Sequence, residues 1–344
     1  MSSYTTKYLT RDEYKEWDEL VLQSPTYNIF DTTLWLDTLS SVLKCDINIL
    51  GVFKEQNLVG GVAFNVIKRF GIKIANIPPM SAYNSLHYIS RETQYKGKNE
   101  RYIENIIALI ADRLQKEFNH AVITNHPDFK DIRGFKTKDW RQNVLYSYQV
   151  YLNKVDLSLI SAAKRRQVKK ARKNLIVTEE IKDIAPVYDI IEQTYIRQNL
   201  KCPLTLDEIS GICTRMGGHN VAIRAAREQN SEKYKAVIVY VIDHRKKCVY
   251  NLLNAYTHES PDSGANSFLM WEGIEYLKDR GFEFFDFGEA SIPSKAFFKS
   301  EFSADLIPYC QVSKSNLLFK FLWYFTKGRI MQQNQQIWKK KYLL

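Results

Sequence analysis

The chain has 344 residues, 45% of them hydrophobic and 13% aromatic, with a formal net charge of +11. That length suits two domains better than one core, and that apolar content excludes a disordered polypeptide. Its five cysteines (Cys45, Cys202, Cys213, Cys248, Cys310) form no C-x-x-C pair and its six histidines no ligand spacing, which argues against a disulfide framework and against a metal site. The first residues lack the apolar core of a signal peptide, and no run of about 18 apolar residues occurs, so a cytoplasmic protein is expected.

In chain order, Thr10-Arg-Asp-Glu13 is a capping box ahead of an amphipathic helix that ends near Ser24, and a second helix runs from about Asp31 to Leu43. Three strands follow, Ile47–Lys54, Leu58–Lys68 and Ile72–Ile77, turned at Gln56-Asn57 and at Arg69-Phe70-Gly71. A helix from about Glu100 to Glu117 leads into a strand at Ala121–Thr124. The second half repeats this order. A helix from Leu157 to about Lys173 and a short strand, Leu175–Glu179, precede helices at Ile184–Asn199 and Leu206–Met216. Strands Val221–Arg227, Tyr234–Asp243 and Cys248–Tyr256, a helix Ser267–Arg280 and a strand Glu283–Phe287 complete it. The expected fold class is α/β (an α+β mixed sheet), with domains at 1–150 and 151–312 and a basic, aromatic helical tail at 313–344.

The positive charge is local. Lys164–Lys173 holds seven basic residues and no acid, and Ser313–Leu344 holds seven more and no acid. Cations crowded on one helix repel one another, so an anion is expected to face them; Arg165, Arg166 and Lys169 are candidate substrate contacts. A solvated face at a domain junction is the alternative. No helix-turn-helix accompanies this helix, so sequence-specific DNA binding is not expected.

Tyr250–Phe302 sets a strand, a small-residue loop, a helix and a strand in succession. Free N–H groups and the positive dipole end make a helix N-terminus an anion site, so Ser263, Gly264, Ala265 and Asn266 are candidate phosphate contacts; an ordinary capped turn is the alternative. Asp286 lies among aromatic residues near its strand end, where a carboxylate without a partner suits a general base. The competing reading is a structural aspartate that accepts backbone bonds at the Gly288 turn. Glu289, just past the strand, is an equal candidate. Tyr256 ends the preceding strand, and its hydroxyl could protonate a leaving group. Lys295 and Lys299 follow in a short helix and could pair with a phosphate or carboxylate. In the first half Trp35 and Tyr83 are candidate substrate contacts. The tail, Asn316–Phe325 and then Ile330–Leu344, with Trp338–Leu344 at its end, suits either packing on the second domain or contact with an anionic inner leaflet.

Lys164-Arg-Arg-Gln-Val-Lys-Lys-Ala-Arg-Lys-Asn174, Ser263-Gly-Ala-Asn-Ser-Phe-Leu-Met-Trp271 and Arg280-Gly-Phe-Glu-Phe-Phe-Asp-Phe-Gly288, with Phe297-Phe-Lys299, carry a family resemblance. They resemble the Fem aminoacyl transferases of peptidoglycan cross-bridge synthesis and the wider group of bacterial FemAB-like GNAT acetyltransferases. The resemblance implies two tandem GNAT-like domains and an N-acyltransferase whose second half binds the donor. It implies no permanently bound cofactor, with acyl-CoA (acetyl-CoA) or aminoacyl-tRNA as co-substrate. It also implies an amine acceptor on an anionic peptidoglycan, polysaccharide or lipid-linked envelope precursor, reached in the cytoplasm or at the inner face of the membrane. In such folds the acyl carbonyl sits where two strands splay, here Cys248–Tyr256 and Glu283–Phe287. Two departures are visible. Only Cys202–Asn220 stands where several Fem enzymes carry a long helical arm, and the loop reads Pro261-Asp-Ser-Gly-Ala-Asn266, with one glycine where the acetyl-CoA pattern has two. An acyl-CoA donor is the first reading, aminoacyl-tRNA-dependent transfer the second, and a non-catalytic tandem that binds an anionic ligand or partner the third.

Overall fold

A computed structural model describes residues 4–69 and 71–325. The chain divides into two compact units: one runs to Leu145 and resumes at Pro308, and the other is Tyr146–Ile307.

The first unit contains β1 (Tyr4–Tyr8), α1 (Tyr14–Gln23), α2 (Thr33–Leu43), β2 (Asp46–Lys54), β3 (Asn57–Arg69), β4 (Ile72–Asn76), β5 (His87–Tyr88), α3 (Lys96–Glu117), β6 (His120–Thr124) and α4 (Arg133–Lys136). The capping box forms as expected, with Thr10 N–H donating to Glu13 Oε2 at 2.9 Å. Strands β1 to β4 are antiparallel neighbours. The apolar stripe of α3, Ile103, Ile106, Ile107, Ile110 and Leu114, recurs at helical spacing and is buried. Strands β4 and β6 run parallel for only two pairs, Ile74 with His120 and Ala75 with Ala121. Past that point the chain's own Asn84 lies against β6: its N–H donates to the Thr124 carbonyl at 2.9 Å, and its Oδ1 accepts from the Thr124 N–H at 2.8 Å. A buried network holds this segment in place. Asp31 Oδ2 accepts from Asn28 at 2.7 Å and from the Ser85 N–H at 3.0 Å, and it meets His87 Nε2 at 2.9 Å.

Strand β7 (Arg141–Tyr151) leads into the second unit. There α5 (Ala162–Lys173), β8 (Ile176–Ile181), α6 (Ala185–Ile196), α7 (Leu206–Asn220), β9 (Val221–Glu228), β10 (Tyr234–Asp243) and β11 (Cys248–Tyr256) precede α8 (Ser260–Ser263), α9 (Ala265–Asp279), β12 (Phe284–Glu289) and α10 (Pro293–Ser300). Its strand order is β7-β12-β11-β10-β9-β8, antiparallel except for β11–β12. Helix α9 buries Leu269, Met270, Trp271, Ile274 and Leu277 in a core shared with Ile238, Phe285 and Phe287. Strand β13 (Asp305–Ser315) ends beside β6 in the first unit, and α11 (Leu317–Phe325) follows.

Both units therefore repeat helix, helix, three antiparallel strands, helix and parallel strand. Several boundaries differ from expectation for local reasons. Helix α5 starts at Ala162 rather than Leu157, because Asp156 closes a turn onto the Ser158 N–H (2.6 Å) and Ser161 caps the Lys164 N–H (3.2 Å). Leu175, expected to open a strand, has φ +53° and ends the turn ahead of β8. Strands β1, β7 and β13 lie outside the sequence expectation: β1 alternates over only five residues and buries none of them fully, and the alternation of β7 and β13 is broken by polar and half-exposed positions. Residues 313–315, placed by sequence in the helical tail, belong to β13. The expected tail segment Ile330–Leu344 lies outside the described residues. Among those described, no helix is long and apolar enough to cross a membrane.

Candidate functional site

The parallel pairing of β11 with β12 lasts three residues, Cys248–Phe284, Val249–Phe285 and Tyr250–Asp286. Both strands then bulge. On β11 the register against β10 skips Leu252, since Val239 faces Leu253 and Tyr240 faces Asn251. On β12 the register against β7 slips between Asp286, opposite Gln149, and Glu289, opposite Ser147. Gly288 takes φ +79° inside this slip, a conformation that costs glycine little. A bulge bends its strand, so two bulges immediately past the last shared pair part β11 from β12.

Strand β11 continues to Tyr256 along this opening. The Tyr256 N–H donates to Thr194 Oγ1 at 3.2 Å, and its carbonyl accepts from Arg197 and from Thr194 Oγ1 at 3.1 Å. Its backbone thus turns away from β10. Antiparallel ladders alternate, so the N–H and C=O of Asn254 turn the same way, toward the opening. An extended chain laid there would find a strand edge to pair with. The Asn251 Oδ1 and Thr257 Oγ1 atoms on this stretch are buried without a hydrogen-bond partner among the described residues, which suits a site that a ligand completes.

Asp286 is 1% exposed. Its Oδ1 accepts from the Ser147 hydroxyl and from the Gly288 N–H at 2.7 Å, and its Oδ2 accepts from the Gln149 amide at 2.9 Å. The partnerless carboxylate considered from sequence is therefore replaced by an anchored one. Asp286 ties β7 to the β12 bulge. Glu289 ends β12 and is exposed. Lys299 Nζ donates to the carbonyls of Gly288 at 3.1 Å and Glu289 at 2.6 Å. Burial pushes the Lys299 ammonium down to about 8, while the Asp286 and Glu289 carboxylates pull it back up. Lys295 is exposed on α10.

The loop ahead of α9 differs from an open anion cradle. Gly264 N–H donates to the Ser260 carbonyl at 2.9 Å, Ala265 N–H to Ser263 Oγ at 3.3 Å, and Asn266 N–H to Ser260 Oγ at 3.0 Å. All three donors expected to hold a phosphate are committed inside the turn, so the capped-turn alternative describes them. The glycine has a packing reason instead. Gly264 has φ +79°, and a Cβ there would lie 2.4 Å from the carbonyl oxygen of Gln167 on α5. Helix α5 rests directly on this loop, and Asn174 Nδ2 donates to the Ser263 carbonyl at 3.3 Å. The Gln167 side-chain oxygen is buried beside Gly264 with no hydrogen-bond partner among the described residues.

The structure sorts the seven cations of α5. Lys164 pairs with Glu301 at 3.1 Å and lies over the Phe298 ring. Arg165 donates to the carbonyls of Ser158 at 2.6 Å and Ile160 at 2.7 Å. Arg172 pairs with Glu272 at 3.3 Å. Arg166, Lys169, Lys170 and Lys173 are exposed and, among the described residues, have no carboxylate partner. Of the three expected substrate contacts, Arg165 is thus spent on holding the turn, while Arg166 and Lys169 face solvent.

Trp35 and Tyr83 belong to the interior of the first unit. Trp35 is fully buried and donates its indole N–H to Ser81 Oγ at 2.8 Å. Tyr83 is 2% exposed, edge-on to His126 and Tyr309. Neither ring is presented to solvent as a surface contact would be. Sequence reasoning missed Thr194 and Arg197, which grip the end of β11, and Ser147 and Gln149, which grip Asp286. No linear spacing marks them, because each acts across the sheet. Among the described residues no three His, Cys, Asp or Glu converge as a metal site would require.

Residues 162–299 match the model of the acetyltransferase (GNAT) domain. No curated protein matches the chain. Among solved structures, FemX aligns at TM-score 0.64 and 12% identity, covering 93% of this chain and 99% of its own. The C-terminal domain (DUF2156) of a putative lysylphosphatidylglycerol synthetase from Agrobacterium fabrum aligns at TM-score 0.55 and 12% identity, covering 89% and 92%. A tandem GNAT protein from the clavulanic acid biosynthesis pathway aligns at TM-score 0.53 and 8% identity, covering 91% and 98%. At these identities the solved structures establish the fold, a tandem of GNAT-like units.

Proposed function

This chain is an acyltransferase with a GNAT domain in its second half, and we propose that it transfers an acyl group from acyl-CoA to an amine on a cell-envelope precursor. The observation that carries this reading is the parting of β11 from β12 immediately past Tyr250 and Asp286. It leaves the Asn254 edge open to the amide-bearing arm of a thioester donor. The amine nitrogen attacks the thioester carbonyl, the N–C bond forms and the C–S bond breaks. Glu289 takes the proton lost by the amine, and the Tyr256 hydroxyl protonates the departing thiolate. Asp286 keeps the β12 bulge, and with it Glu289, in place. FemX and a putative lysylphosphatidylglycerol synthetase among the structural relatives support an envelope precursor as acceptor.

Donor phosphates are assigned to α5 rather than to the loop N–H groups, because α5 rests on the loop and carries four exposed cations, while those donors are engaged. Combined Arg166→Glu and Lys169→Glu changes should raise the KM for acyl-CoA about tenfold and leave kcat within about twofold, as expected when ground-state and transition-state binding weaken equally. The same variant should lose most of the salt sensitivity of KM. A fall in kcat at unchanged KM would remove α5 from donor binding.

Acceptor-dependent release of free thiol from acetyl-CoA, with muropeptide, aminosugar or aminolipid amines as acceptors, tests the reaction. The expected result is thiol release that ribonuclease treatment does not change. Transfer from aminoacyl-tRNA that ribonuclease abolishes, with no thiol release, would establish the second donor in its place.

A further inference from the structure

Helix α11 is held to the first unit by the Phe319 ring and, at its start, by the Asn316 N–H, which donates to the Asn119 carbonyl at 2.9 Å. Phe319 is buried and stacks on His120, with ring centroids 4.4 Å apart and an interplanar angle of 6°, while Asn316 Oδ1 caps the Phe319 N–H at 2.9 Å. Apart from Lys320 and the half-buried Leu322, the rest of the helix is apolar and outward. Leu317 is 83% exposed, Tyr324 77%, Phe325 65% and Phe321 58%, with Leu318 and Trp323 also open to solvent. Soluble surfaces scatter large apolar side chains singly; six on one nine-residue helix form a patch that needs an occupant.

The charge around the patch selects that occupant. No acidic residue follows Asp305 in the sequence. Lys314 is already bonded to the carbonyls of Lys138 and Asp139. Lys320 is exposed on α11 among the Phe, Trp and Tyr rings, and in the sequence Lys327, Arg329, Lys339, Lys340 and Lys341 follow it. A second copy of the chain would bring an equally basic segment against this one, and the two would repel. An anionic lipid surface supplies both complements: an apolar boundary for the rings and negative headgroups for the cations. We propose that α11 docks this protein on anionic membrane surfaces, with Leu317, Phe321, Tyr324 and Phe325 entering the headgroup boundary. The inference is independent of which acyl donor the second unit uses.

The test is flotation of the full-length protein with vesicles of phosphatidylglycerol and phosphatidylcholine, and with vesicles of phosphatidylcholine alone. Wild type should float with the anionic vesicles, and added salt should weaken the association. The combined Phe321→Ser, Tyr324→Ser and Phe325→Ser variant should bind on the order of tenfold or more weakly. Its Tm, and its thiol release with a soluble amine, should be unchanged, because these side chains are exposed and outside the second unit. Lys339→Gln, Lys340→Gln and Lys341→Gln together should remove most of the preference for anionic vesicles. Equal flotation of wild type and the apolar variant, or no flotation of wild type, would overturn the proposal. So would a wild-type dimer in solution that the apolar variant converts to monomer, since that result gives the patch to a second copy.

Discussion

Asp286→Ala should destabilise the second unit by about 3 kcal/mol, because a buried acceptor that satisfies three donors is removed and the donors stay behind. The Ser147 hydroxyl, the Gln149 amide and the Gly288 N–H all lose their partner at once. Lys299 also loses a carboxylate that helps it keep its proton, so its ammonium should fall further below its present position near 8. Asp286→Asn is the informative companion. Its remaining oxygen can still accept from Ser147 and Gly288, and Gln149 can turn its amide to present an oxygen to the new NH2. A loss of only about 1 kcal/mol is expected for it. Chemical denaturation of both variants measures the difference. A native-like midpoint in Asp286→Ala, together with a collapse of kcat, would instead make Asp286 the base itself.

Glu289→Gln should do the opposite. The side chain is exposed at the end of β12, so the change should leave stability within about 0.5 kcal/mol, as for surface substitutions in general. Loss of a positioned general base should lower kcat by about a hundredfold or more. At neutral pH the acceptor amine is largely protonated, so raising the pH supplies free amine and narrows the gap between the variant and wild type. A pH–rate profile for the two proteins therefore separates a proton acceptor from a residue that only shapes the opening. If kcat is retained across the profile, Glu289 takes no part in the proton transfer.

The contrast between these two carboxylates shows where sequence reading stopped. Asp286 and Glu289 are three residues apart, and from the sequence either could be the base. What separates them is β7: Ser147 and Gln149 lie 139 and 137 residues from Asp286 in the chain. No local pattern encodes that meeting. The cations of α5 behave similarly. Their number is plain in the sequence, but their fates depend on Glu301, on Glu272 and on two loop carbonyls. Gly264 was conspicuous as a small residue in a loop. That a helix carbonyl would lie 2.4 Å from its missing Cβ, rather than a phosphate, required the packed helix.

By itself the sequence determined the duplicated order of helices and strands, because hydrophobic periodicity and turn residues act within a few positions. It also determined the clustering of positive charge in two segments and the α/β class. Tertiary structure alone decided the rest. Two bulges set against each other part β11 from β12, buried donors from a distant strand turn Asp286 into an anchor, and Phe319 holds α11 while its other rings stay outside. The physical reason is range: periodicity reports on neighbours along the chain, whereas hydrogen-bond partners, counter-charges and exposure are set by groups that folding brings together.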